Sequence, residues 1–159
     1  MQKPFSELTH LRLGVFDRGP VSILPSLFLG GTAQQLRSLD LDSVPFLGLP
    51  KLLLSATHLV NLDLYDILRS GYIPPEAMTT SLSALTSLEF LRLEFLCPPP
   101  RPALHLPLPP LTRSILPRLA KIRFKGVSEY FDEILAHVDA PRLNELHITF
   151  FNQIIFDTP

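Results

Sequence analysis

The side chains that most often perform catalysis or bind metal ions are few and scattered in this chain. The only cysteine is Cys97, and a lone cysteine cannot complete a cysteine-based zinc site. No two of the five histidines have the i, i+4 spacing that places a pair on one helix face around zinc. These histidines are His10, His58, His105, His137 and His147. Each is interpreted as a surface side chain, and no metal or other cofactor is predicted.

Sequence motifs for phosphate binding and nucleophilic catalysis are also missing. No stretch matches G-x-G-x-x-G, G-x-x-x-x-G-K-[ST] or the G-x-S-x-G nucleophile elbow. The Gly30-Gly31 pair follows an apolar stretch and suits the end of a helix, where glycine tolerates the left-handed conformation. Cys97 lies among prolines with no evident base beside it. The sequence therefore predicts a protein that is not an enzyme.

Length and composition predict one folded domain. The chain has 159 residues, of which 46% are hydrophobic and 18% charged, a balance that excludes a disordered polar chain. The formal net charge of −1 gives no global attraction to nucleic acid. Lys121, Arg123 and Lys125 form a local basic group, but without an aromatic stacking platform they do not predict nucleic-acid binding.

The sequence favours the cytosol or nucleus and predicts no membrane association. No uncharged apolar run approaches the roughly 18 residues of a membrane-spanning helix. The N-terminal stretch MQKPFSELTHLRL lacks the continuous apolar segment of a secretory signal. A single cysteine and the lack of any Asn-x-Ser/Thr acceptor both fit a reducing compartment.

A six-residue pattern recurs along the chain, with an aliphatic residue or Phe at positions one, four and six. Its copies start 28, 23, 29, 31 and 24 residues apart. They are LTHLRL at Leu8, LRSLDL at Leu36, LVNLDL at Leu59, LEFLRL at Leu88, LAKIRF at Leu119 and LNELHI at Leu143. Position five is polar in every copy while positions four and six are apolar, which is the alternation of a half-buried strand. Strands are predicted near 9–14, 37–42, 60–65, 89–94, 120–125 and 144–150.

Apolar stretches between these strands predict helices. Each is opened by proline or by a serine cap, and the stretches cover residues 20–31, 45–56, 74–85 and 128–141. LPSLFL at Leu24 and LPKLLL at Leu49 also match the six-residue pattern, but proline in second place suits a first helical turn better than a sheet. In the last stretch, which starts at Ser128, the apolar residues recur at helical spacing.

Strand, turn and helix repeated every 23 to 31 residues predict an α/β chain built as a leucine-rich repeat solenoid. About six parallel strands would line the concave face and helices the convex face, in a single domain over residues 1–159. The leucines of positions one, four and six would fill the layer between. Because solenoids normally carry capping units at both ends, we expect this chain to be a fragment without end caps.

A proline-rich loop is predicted over residues 97–118. It contains CPPPRPALHLPLPPL and lengthens the fourth repeat to 31 residues. Pro107-x-x-Pro110 has the minimum spacing of an SH3 ligand, but the basic residue that fixes orientation is displaced by one, at Arg113, and no PPxY occurs. A spacer loop is therefore favoured over a ligand for SH3 or WW domains.

Polar side chains at positions three, five and seven should share the concave face, where neighbouring strands place them side by side. The second and third strands would make this face acidic, and the fifth would make it basic, with an aromatic residue between. A target protein or extended peptide of opposite charge layout is the predicted partner; the alternative is that an exposed sheet face simply carries some charges. The predicted contact residues are Asp40, Asp42, Asp63, Tyr65, Phe90, Arg92, Arg123 and Lys125.

The repeats resemble a known protein family. Together with LPKLLLSATHLVNLDL, SGYIPPEAMTTSLSALTSLEFLRLEF and ITFFNQIIFDTP, they are similar to the leucine-rich repeat region of large F-box protein families of mushroom-forming fungi. This resemblance covers nearly the whole chain but not the F-box, which would lie upstream of Met1 and dock on the Skp1 adaptor.

The resemblance implies the substrate-recognition part of an F-box protein, which brings a target to a Skp1–cullin ubiquitin ligase. Binding to Skp1 is expected only if an upstream F-box exists. Two alternatives stay open on the sequence alone. One is a stand-alone leucine-rich repeat scaffold, and the other is a truncated gene product without function.

Overall fold

The computed structural model describes residues 5, 7–15, 19, 23–31, 33–98 and 113–151. Six parallel strands form one sheet in the order in which they occur in the chain. They are β1 (His10–Gly14), β2 (Ser38–Asp42), β3 (Asn61–Ile67), β4 (Phe90–Phe95), β6 (Lys121–Gly126) and β8 (Glu145–Phe150). Each begins one residue later than predicted. The prediction of an α/β chain with six parallel strands is thereby confirmed.

Three α-helices, two short 3-10 helices (Phe28–Gly31 and Arg69–Gly71) and one small second sheet complete the described elements. The α-helices are α1 (Leu49–Ser55), α2 (Pro75–Ser83) and α3 (Ser128–His137), and α2 contacts both of the others. The second sheet pairs β5 (Ser114–Ile115) with β7 (Val138–Asp139) in parallel. None of the helices within the described ranges is long and apolar enough to cross a membrane.

The hydrophobic core lies on the side of the main sheet that receives positions four and six of each repeat. The core-facing residues of the four inner strands are at most 4% exposed. They are Leu39, Leu41, Leu62, Leu64, Leu91, Leu93, Ile122 and Phe124. Period-two alternation buries these residues because successive side chains of a strand point to opposite faces.

The position-one leucine of every repeat closes the same turn just before its strand. In each turn this leucine donates its backbone N–H to the carbonyl three residues earlier. The turns run from 5 to 8, 33 to 36, 56 to 59, 85 to 88, 116 to 119 and 140 to 143. Leu36, Leu59, Leu88 and Leu119 are 0% exposed, so one side chain both ends the turn and fills the core.

A second backbone feature connects each repeat to the next. The carbonyl at position two accepts hydrogen bonds from two successive N–H groups of the following repeat. Val60 and Asn61, for example, both donate to the Arg37 carbonyl, at 2.7 and 3.0 Å. The same bonding recurs at Thr9, Val60, Glu89 and Ala120. These hydrogen bonds join backbone groups alone, and they fix the register between neighbouring strands.

The helix prediction over residues 20–31 is wrong for the part that the structure describes. Leu24 forms an isolated parallel bridge with Phe46, and a single 3-10 turn covers Phe28–Gly31. Proline disfavours helical geometry in the residue before it, so Pro25 keeps Leu24 extended. Leu29, with a φ of 58°, leaves the helical region within the turn.

The other three helices fall within their predicted segments, with two local differences. α1 begins only at Leu49, because Phe46 is taken up by the bridge to Leu24 and Gly48 approaches the Ser26 carbonyl too closely for a Cβ. Ser128 does not cap α3. Val127 occupies that position in extended geometry, and the Ser128 hydroxyl donates instead to Glu129 Oε2 at 3.3 Å.

Most of the predicted proline-rich loop over residues 97–118 lies outside the described residues. Within its described end, β5 was not predicted from the sequence. Its partner β7 follows α3, and Arg113 Nη2 donates to the carbonyls of Leu135 and Val138 at 2.6 and 2.9 Å. The Leu135 carbonyl in the last turn of α3, where carbonyls have no partner within the helix, thereby gains a donor.

Burial at equivalent sheet positions predicts the cost of truncating a leucine. Leu91 on β4 and Leu146 on β8 are the two register partners of Ile122, one on each side of it. Leu91 is 1% exposed, whereas Leu146 is 45% exposed. Leu91→Ala should lower the free energy of unfolding by about 2–5 kcal/mol, and Leu146→Ala by less than half as much. Urea denaturation followed by circular dichroism measures both values. Equal losses would contradict the position of the core.

Candidate functional site

The side of the sheet opposite the core carries three rows of mostly polar side chains, here called the polar face. The strand register aligns each row across the sheet. The first row is His10, Ser38, Asn61, Phe90, Lys121 and Glu145. The middle row is Arg12, Asp40, Asp63, Arg92, Arg123 and His147. All eight residues predicted for partner contact belong to the polar face.

The third row is interrupted by a bulge in β3. Gly14, Asp42 and Tyr65 are aligned on one side of it, and the row continues with Glu94, Lys125 and Thr149 on the other. The register shifts between Leu64 and Ile67, where Asp66 has a φ of 50°. A bulge inserts an extra residue and increases the local twist.

Arg92 is the centre of the polar interactions in the first four strands. Its guanidinium lies 3.6 Å from Asp63 Oδ2 and 3.1 Å from Glu94 Oε2. The same group stacks over the Tyr65 ring, 4.6 Å from the centroid. With only 26% of its side chain exposed, Arg92 interacts with two carboxylates and one aromatic ring in a partly desolvated setting.

Asp40 and Asp63 are register partners on neighbouring strands. Neighbouring strands of a sheet lie about 4.8 Å apart. Like charges directly opposite one another destabilise a sheet. Cations flank the pair on both sides: Arg12 lies 3.3 Å from Asp40, and Arg92 lies beside Asp63. Within the described part of the chain, the Oδ1 atoms of both aspartates are buried and have no hydrogen-bond partner.

The pKa of Asp63 reflects this setting. Burial raises the pKa above the usual aspartate value, the charge of Arg92 lowers it, and the negative charges of Asp40 and Glu94 raise it further. The net direction is upward. The charged form of Asp63 is therefore less favourable in the folded protein than in water.

The last two strands of the main sheet, β6 and β8, carry a second group of charges. Lys121 Nζ lies 2.8 Å from Glu145 Oε2, and His147 Nε2 lies 3.2 Å from Glu145 Oε1. The hydrogen bond from Lys121 lowers the pKa of Glu145, and His147 adds to the effect. Lys125 Nζ lies 5.6 Å from the centroid of the Phe151 ring. Among the described residues, no carboxylate lies within ion-pair distance of Arg123.

The structure brings the predicted residues together on one face but changes their electrostatic roles. Asp40 and Asp63, predicted as an acidic region open to a partner, are already paired with arginines. Arg12, Glu94 and Glu145 also form ion pairs on the polar face, and they were not among the predicted contact residues. For Arg12 and Glu145 the available signal was the repeat position that each shares with its partner, because equal positions in successive repeats become neighbours in parallel register. Glu94 instead follows Arg92 by two residues on the same strand.

In the described part of the chain, no group of three or more His, Cys, Asp or Glu residues has an arrangement that could hold a metal ion. Comparison of the chain with models of known protein families, with curated proteins and with solved structures found no match. The residues and their geometry therefore carry the functional argument.

The position of Arg92 between two carboxylates predicts a loss of stability when its charge is removed. Arg92→Met should lower the free energy of unfolding by about 1–3 kcal/mol at pH 7, since Asp63 and Glu94 would lose their shared cation. Arg123→Met is the matched control in the same row and should stay within about 0.5 kcal/mol of the wild type. Chemical denaturation of the three proteins measures the difference. Equal effects of the two substitutions would argue against the proposed role of Arg92.

The raised pKa of Asp63 predicts a pH effect of known sign. As pH rises above the ordinary aspartate pKa, the unfolded chain releases the Asp63 proton first, so this group lowers the free energy of unfolding until the folded form also ionises. Asp63→Asn removes this contribution. The stability of the variant relative to wild type should therefore increase as the pH rises from about 4 toward neutral. Denaturation curves across this range test the sign, and a constant or falling difference would show that the pKa is not raised.

Proposed function

We propose that this protein is a leucine-rich repeat solenoid that acts as a non-enzymatic protein-interaction module. The repeated leucine turn and the repeated two-donor hydrogen bond support the solenoid, because each repeat contributes one equivalent unit. Strand order that follows chain order supports it as well, since each repeat then contacts only its neighbours.

The observation that carries the binding proposal is the alignment of polar side chains in rows across six strands. Such rows present hydrogen-bonding and charged groups at a regular spacing, about 4.8 Å between strands and 6.6–6.8 Å along a strand. A partner protein can satisfy many of these groups at once. Tyr65, Phe90 and Arg92 belong to residue types that are enriched in protein interfaces.

Site-specific photo-crosslinking tests where the partner binds. A benzophenone amino acid at Asn61, an exposed first-row position, should form covalent adducts with a partner protein in cells of the source organism. The matched control places the same group at Lys51, which is exposed on α1. Adducts that are equally frequent from both positions, or that form only from Lys51, would refute binding at the polar face.

The resemblance to fungal F-box proteins supports a narrower proposal. In it, the polar face selects the target for a Skp1–cullin ubiquitin ligase, and other subunits perform the ubiquitin transfer. The alternatives are a stand-alone leucine-rich repeat scaffold and a truncated gene product without function. Full-length cDNA sequencing followed by Skp1 co-precipitation with the encoded product separates these possibilities, since a scaffold would bind its partner but not Skp1.

A further inference from the structure

The ion pairs leave the charges of the polar face unevenly compensated. Four of its carboxylates already interact with a cation of the same chain: Asp40 with Arg12, Asp63 and Glu94 with Arg92, and Glu145 with Lys121. The remaining carboxylate is that of Asp42, which accepts a hydrogen bond from the Ser43 hydroxyl at 3.0 Å. Because Arg92 is shared by two carboxylates and Asp42 keeps its charge, strands β2 to β4 retain some negative charge, but Asp40 and Asp63 each already interact with an arginine.

Strand β6 presents the opposite situation. Arg123 and Lys125 lie two residues apart, about 6.6–6.8 Å along the strand, with both side chains on the polar face. Arg123 is exposed, and its neighbours in the middle row are Arg92 and His147. Within the described ranges, neither Arg123 nor Lys125 forms an ion pair with a carboxylate. Two cations on one strand are thus free to bind an anionic partner group.

The surroundings orient these cations without neutralising them. The Phe151 ring lies 5.6 Å from Lys125 Nζ, and a cation over an aromatic face keeps its full charge. On β4 the residue aligned beside Lys125 is Glu94, which interacts with Arg92. On the other side lies Thr149, which adds a hydroxyl to this part of the surface.

We infer that the partner contacts β6 through an acidic segment that places carboxylates against Arg123 and Lys125. This inference rests on the proposed function and specifies the partner's chemistry. It places the main partner contact on β6 rather than on β2 and β3, because Asp40 and Asp63 already interact with arginines of the same chain. Arginine binds a carboxylate through two parallel hydrogen bonds, and lysine adds a point charge.

Selection from a random peptide library tests the inference without a known target. Purified full-length protein is used to enrich 16-residue peptides from an unbiased display library, and affinities of enriched peptides are measured by fluorescence anisotropy. The enriched sequences should be rich in Asp and Glu. Their affinity should fall about tenfold or more in Arg123→Glu/Lys125→Glu and should weaken as salt rises.

Two further variants make the result interpretable. Lys51→Glu/Arg118→Glu makes the same change in net charge on α1 and in the turn before β6, and it should retain binding. Arg123→Gln/Lys125→Gln removes the two charges without adding repulsion, so it replaces the reversed variant if that variant does not fold. The thermal melt of each variant verifies folding.

The outcomes separate this inference from the proposed function. A last variant, Asn61→Arg, changes an exposed first-row position of the polar face away from β6. Enriched peptides that are not acidic, or that keep their affinity in both β6 variants but lose it in Asn61→Arg, overturn the acidic-partner inference while binding at the polar face stands. Peptides that lose affinity only in Lys51→Glu/Arg118→Glu overturn both. A library that yields no enriched peptide also counts against an acidic linear segment as the partner.

Discussion

The register between parallel strands is the constraint on which the rest of this structure depends. A shift of one residue would turn every core leucine toward solvent and every polar residue toward the helices. Two backbone features hold the register, the leucine turn before each strand and the carbonyl that accepts two N–H groups from the next repeat. Both place position four beside position four in neighbouring strands. The core and the polar face are consequences of the same alignment.

This alignment also brings two negative charges together, and arginine side chains offset their repulsion. Equal repeat positions become neighbours, so aspartate at position five in two successive repeats places Asp40 opposite Asp63. The repulsion falls in a partly buried place where water screens it weakly. Arg12 and Arg92, at the same repeat position on the adjacent strands, compensate the pair. Four charges of the middle row, those of Arg12, Asp40, Asp63 and Arg92, therefore interact with one another within the fold.

The strands and most helices could be predicted from the sequence because their signals are local. Six consecutive residues are enough to show the period-two alternation that predicts each strand. Pro75 is the first residue of α2, and proline is common at the first helical position. Pairing of β5 with β7 and the hydrogen bonds of Arg113 near the end of α3 both join residues more than 20 positions apart. The predicted helix over 20–31 failed because the bridge between Leu24 and Phe46 competes with it. Which charges neutralise each other likewise depends on side-chain geometry that spacing does not encode.

The same geometry decides where a partner can gain binding energy. A partner that binds Asp40 or Asp63 must compete with an arginine already in place, and any ion pair that it breaks offsets part of the new interaction. A carboxylate that approaches Arg123 breaks no ion pair among the described residues. The two halves of the polar face thus contribute differently. In β2 to β4, Asp40, Asp63 and Glu94 interact with arginines, whereas Arg123 and Lys125 of β6 form no ion pair among the described residues. A surface that looks balanced in its residue count is therefore unbalanced in what it offers to a partner.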